Sequence, residues 1–243
     1  MATLPRARLG ALSFWQTMTI ALSAFIVFAF AQFALRGFVD YRAAPPIMHL
    51  HGMIMVAWLG LLVTQAMLAG NAGRTGRSTL AIHRRLGWAS VVMVPLMVGS
   101  MSALCLTALR LHIQPPFFTP GYFLATVHVG GLLFAFMVAL AVSYRRRSDW
   151  HRRLILGSTI LLTDPALGRV LPMPLIVPWG EWVSLAIQLG FVALILRRDR
   201  RTLGRAHPAT VAVAMAVLLS HVLTELLAIT PWWIDLARRI ASA

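Results

Sequence analysis

Apolar residues run along this chain in seven long stretches, separated by short segments rich in arginine, proline and glycine. The stretches cover roughly 14–35, 47–69, 86–109, 122–144, 154–171, 182–196 and 210–229. Runs of about 17 to 25 apolar residues have the length of a transmembrane helix. The pattern predicts an all-α membrane protein, a single domain over residues 1–243 with seven transmembrane helices. The fifth and sixth runs are short, and Pro172, Pro174 and Pro178 lie between them. Arg6 and Arg8 precede the first run, as in a secretory signal. Its apolar core of about 18 residues is long for a signal segment, so it is read as an anchor.

Composition agrees with the pattern. Mean hydropathy is +0.77 and 59% of residues are hydrophobic, well above a soluble domain. All of the 22 basic residues are arginine, and their placement gives an orientation. Alternate loops, starting from the N-terminus, carry Arg6 and Arg8; Arg74, Arg77, Arg84 and Arg85; Arg145, Arg146, Arg147, Arg152 and Arg153; and Arg197, Arg198, Arg200, Arg201 and Arg205. The positive-inside rule places that face in the cytoplasm of a bacterial inner membrane, with the N-terminus inside and the C-terminus periplasmic. A net charge of +15 gathered in short loops implies contact with anionic lipid headgroups rather than nucleic acid. Cys105 is the single cysteine, which excludes a disulfide framework, a thiolate cluster and covalent c-type haem.

Two segments of the chain repeat one another. His83-Arg84-Arg85-Leu86 opens the third run and His151-Arg152-Arg153-Leu154 the fifth, and each follows a helix with a histidine near its outer end, His51 or His128. Helices two to five are therefore expected to form a central four-helix bundle built from two similar hairpins. At 1.5 Å per residue, His51 and His128 lie about 8 to 10 Å inside the outer face, and His83 and His151 about 25 Å below them. Two stacked sites follow, an outer pair and an inner pair. Imidazoles from opposite helices are an axial ligand pair for b-type haem, one or two per chain, with Arg84 and Arg152 beside the inner histidines for its propionates. His49 points about 200° from His51 and cannot serve the same centre. His112 and His207 fall in loops and read as solvated, and the Met93, Met97, Met101 stripe reads as packing.

This layout resembles the di-haem transmembrane cytochrome b group of ascorbate-dependent and ferric reductases, over helices two to five and through four histidines. That group has six spans where seven are counted here. The resemblance implies transmembrane electron transfer. A second resemblance covers nearly the whole chain. His49-Leu50-His51-Gly52 with Trp58 and Gln65, His83-Arg84-Arg85-Leu86-Gly87-Trp88, His151-Arg152-Arg153-Leu154, His207-Pro208-Ala209-Thr210 and Thr230-Pro231-Trp232 look like a group of uncharacterised bacterial seven-helix inner-membrane proteins. It carries topology and no activity.

Further polar residues sit in the outer half. Asp164 and Arg169 lie in the fifth run, and His221 and Glu225 share a face of the seventh. Ionisable groups in apolar spans are candidates for substrate binding or proton handling. An alternative set, His51, His128 and His221 with Asp164 or Glu225, could bind zinc and hydrolyse a lipid amide or ester. A further alternative is a non-catalytic carrier or an assembly partner of a respiratory complex. Nucleotide-binding turns are absent from the sequence, so an electron donor or acceptor is expected to be a quinone, a small reductant or a redox protein.

Overall fold

The computed structural model describes residues 12–75 and 77–243, without the side chains of 71–78; Arg6 and Arg8, and the side chains of Arg74 and Arg77, lie outside the described residues. The described residues are helical, with no strand. The elements are α1 (Phe14–Leu35), α2 (Pro46–Thr75), α3 (Arg77–Gly87), α4 (Ala89–Arg110), α5 (Pro120–Ser143), α6 (Ser148–Leu161), α7 (Asp164–Val170), α8 (Met173–Ile176), α9 (Gly180–Leu203), α10 (Pro208–Ala228) and α11 (Pro231–Ala241). Six stretches among them are long and apolar enough to cross a membrane: α1, Pro46–Gly70 of α2, Thr79–Arg110 across α3 and α4, α5, α9 and α10. The chain is a multi-pass membrane protein.

Its outward surface says the same. Phe28, Met53, Val56, Val92 and Leu132 are each more than 60% exposed, an apolar coat that water would not tolerate and hydrocarbon does. Exposed Trp88, Trp179 and Trp232 lie at or beyond helix ends, where indole rings favour the headgroup level.

The predicted fifth run is not one helix. α6 stops at Leu161 and α7 restarts at Asp164. Pro165 supplies no N–H, and its ring would collide with the carbonyl of Leu161 in a continuous helix. The sixth run is longer than the apolar count, because α9 extends over Glu181 at one end and Asp199 at the other. α11, absent from the apolar runs, is amphipathic and packs on α4 and α5, where Trp233 Nε1 donates to the Gly121 carbonyl at 2.9 Å.

α5 is the central helix, packed by α4, α6, α10 and α11, while α1 spans from α2 to α6. Three apolar clusters fill the interior among the described residues, the smallest joining Cys105, Leu109, Leu124 and Ala237; the other two are larger. One joins Leu154, Ile160, Ile195, Val213 and Val217, and the other Ile26, Trp58, Met97 and Phe134. Met97 is thus core packing, as the methionine stripe implied. Close approach of α6 and α10 depends on Gly157, where a Cβ would overlap the Val213 side chain. Gly157→Leu is expected to lower unfolding stability in detergent by about 2 to 3 kcal/mol. Gly99→Ala, whose new Cβ meets nothing within 4 Å, should be neutral or stabilising. Equal melting temperatures for the two variants would contradict this packing.

The arginine-rich end is tied together by a buried ion pair. Arg153 (1% exposed) donates from Nη2 to Asp199 (0%) at 2.5 Å and from Nη1 to the Asp149 carbonyl at 2.7 Å. Thr210 Oγ1 and the His207 backbone N–H also donate to Asp199. Arg153 is therefore not a solvated loop charge. His207, expected in solvent, is buried and caps α10 by accepting from Ala209 N through Nδ1. Its Nε2 donates to Asp149 at 2.9 Å, and this hydrogen bond holds the Asp149 carboxyl below the usual carboxylate range.

Candidate functional site

At the arginine-rich end the structure brings His83 of α3 to His151 of α6. Their ring centres are 6.3 Å apart and their planes perpendicular. Each ring is fixed through Nδ1, which donates to a backbone carbonyl of the preceding long helix: Gln65 of α2 at 3.2 Å for His83, and Ala141 of α5 at 2.8 Å for His151. Gln65 grips from both sides, since its Nε2 donates to the His83 carbonyl at 3.0 Å. A neutral imidazole that donates from Nδ1 carries its lone pair on Nε2. Neither Nε2 has a hydrogen-bond partner among the described residues. Two such nitrogens on neighbouring rings are of the kind that could hold a metal or haem iron. Arg84, Arg85 and Arg152 are exposed around them, and Arg152 lies over the Trp15 ring at 4.7 Å.

His51 and His128 are placed differently. His51 Nδ1 donates to Ser100 Oγ at 3.0 Å, because that hydroxyl already donates to the Met97 carbonyl. His128 donates from Nδ1 to Leu124 O at 2.9 Å and accepts at Nε2 from Ser102 Oγ at 2.9 Å, which occupies both ring nitrogens. Ser100 and Ser102 point about 200° apart around α4, which stands between α2 and α5. No hydrogen bond or ring contact among the described residues joins His51 to His128. His49 is exposed beside Tyr41, and His112 is exposed in its loop.

A second group of polar side chains converges away from the arginine-rich end, where α5, α7, α9 and α10 meet. Glu181 of α9 accepts from Tyr122 of α5 and from His221 Nδ1 of α10, the latter at 2.5 Å. His221 Nε2 lies 3.2 Å from the Gln188 carboxamide oxygen, and Thr126 Oγ1 donates to Asp164 at 3.4 Å. One ligand atom each from Asp164, Glu181 and His221 lies within 4.8 Å of the others. Glu181, Gln188 and His221 are buried. Arg169 does not join them. Its guanidinium lies 3.9 Å over the Phe30 ring and donates to the Pro165 carbonyl at 2.7 Å. Glu225, half-buried one turn beyond His221, forms no hydrogen bond among the described residues.

Of the sequence candidates, Asp164 and His221 are therefore brought together, while Arg169, His51 and His128 stand outside the cluster. Glu181, Gln188 and Tyr122 were missed. Glu181 is one of only seven acidic residues, and with Gln188 it repeats at i and i+7 along α9. That spacing puts both on one helix face and was the available sign.

Comparison with protein-family models, with characterised proteins and with solved structures finds no match.

Proposed function

We propose that the protein is a b-type haem electron carrier of the bacterial inner membrane, with His83 and His151 as the axial pair. The observation that carries this reading is the pair itself. The ring centres of His83 and His151 are 6.3 Å apart and neither Nε2 has a hydrogen-bond partner among the described residues, so these two imidazoles would hold the iron. Bound there, haem would supply reversible one-electron chemistry.

The chain's own residues do the rest. The Gln65 and Ala141 carbonyls lock each imidazole in the tautomer that exposes Nε2, which is the outer support that ligating histidines require. Arg84 and Arg152, exposed beside the pair, supply positive charge for propionate carboxylates. The two hairpins, α2 with α3 and α5 with α6, each present one histidine held by a carbonyl of its own partner helix, which supports the internal repeat. With α6 and α7 read together as one broken crossing, the chain has seven, and charge bias puts the histidine pair at the cytoplasmic face. A quinone or a redox protein is the exchange partner.

The test is the visible spectrum of the detergent-purified protein, expressed with ample haem supply, oxidised and dithionite-reduced. A sharp reduced α band with one haem per chain is expected. A colourless protein refutes the reading, and two haems per chain would return His51 and His128 to the ligand set.

A further inference from the structure

We infer that Asp164, Glu181 and His221 form a binding site for a first-row divalent cation of the zinc class, distinct from the histidine pair. The three ligand atoms come from three helices and lie within 4.8 Å of one another. Two carboxylates and one imidazole are an oxygen and nitrogen donor set of the kind zinc accepts.

Charge supports a cation. Glu181 is buried and Asp164 half-buried among apolar helices, where carboxylate charge is costly unless compensated, and His221 is the one basic side chain against them among the described residues, on Glu181. No arginine pairs with Asp164, Glu181 or Glu225 among the described residues, and the nearest candidate in sequence, Arg169, is turned onto Phe30. A divalent ion balances Asp164 and Glu181 without remainder.

The second, independent observation is Gln188. It is 1% exposed, it presents its carboxamide oxygen to His221 Nε2 at 3.2 Å, and its Nε2 has no hydrogen-bond partner among the described residues. An acceptor at that position requires a proton on His221 Nε2. Nδ1, which donates to Glu181 Oε1 at 2.5 Å, is then the nitrogen whose lone pair is freed when that proton leaves. Gln188 thus orients His221 for ligation through Nδ1, as carboxamides and carbonyls do behind metal-bound histidines. On binding, the cation replaces the proton between His221 and Glu181. Tyr122, donating to the other Glu181 oxygen, orients that carboxylate. Three protein ligands leave a coordination position for water or a substrate oxygen.

The test uses the full chain in detergent, stripped with chelator and titrated with zinc chloride, with metal counted by mass spectrometry. One zinc per chain is expected, with affinity reduced at least about tenfold in Asp164→Asn, Glu181→Gln and His221→Asn. Thermal unfolding in detergent, read on the same samples, reports folding independently of this site and of any haem. Zinc absorption-edge spectroscopy on the unmutated protein should give one imidazole and otherwise oxygen neighbours, which keeps the proposal testable if a variant does not fold. No zinc on folded protein, equal affinity in all three variants, or a shell of several imidazoles would each overturn it.

Discussion

Replacing Asp199 with alanine is expected to destabilise the protein by about 3 to 5 kcal/mol, the range for removing one partner of a buried ion pair. Arg153 would be left with its guanidinium 1% exposed and, among the described residues, only the Asp149 carbonyl as acceptor, while Thr210 Oγ1 and the His207 N–H would each lose theirs. Three elements lose their common anchor at once, because Arg153 is on α6, Asp199 on α9, and Thr210 on α10. Thermal or denaturant unfolding in detergent measures the effect. The double variant Arg153→Met with Asp199→Leu removes both charges together and should recover most of the loss, since apolar replacement of a whole buried pair is near neutral. The difference between the double variant and the sum of the single ones gives the coupling. An Asp199→Ala protein within about 1 kcal/mol of the original would mean that water or lipid headgroups reach this pair.

Long apolar runs made the helices readable, because a bilayer demands about 20 apolar residues whatever the packing. Polar interiors were harder. Asp199 sits in Arg197-Arg198-Asp199-Arg200-Arg201, a string that reads as a solvated loop, yet α9 runs through it and turns the one acid inward. Glu181 fell one residue outside the apolar run that begins at Trp182, though the helix starts at Gly180. Hydropathy marks where apolar residues stop, and a helix stops where its hydrogen bonds do. The break at Asp164-Pro165 was passed over for the converse reason, since flanking leucines kept the run apolar across it. Among the histidines, the alternation along the chain was legible. Which pair meets was not, because it depends on whether a third helix intervenes. α4 stands between His51 and His128, while the rings of His83 and His151 lie 6.3 Å apart.

That difference sets the sharpest expectation for the cofactor. His83→Ala and His151→Ala should each lower haem content at least about tenfold, because a single remaining imidazole holds haem poorly in a site arranged for two. His51→Ala and His128→Ala should keep it, because the first hydrogen-bonds to Ser100 and the second has both ring nitrogens engaged by Leu124 and Ser102. Pyridine haemochrome quantification on the four purified variants, with thermal unfolding alongside, separates ligand loss from misfolding. Gln65→Ala adds a graded intermediate. It leaves both histidines and the Gln65 backbone carbonyl in place but removes the Nε2 contact to the His83 carbonyl, so it should retain haem with an altered reduction potential. Haem lost from His51→Ala or His128→Ala and kept in His83→Ala would reverse the assignment. It would require α4 to swing out from between α2 and α5, exchanging the Ser100 and Ser102 hydrogen bonds for iron.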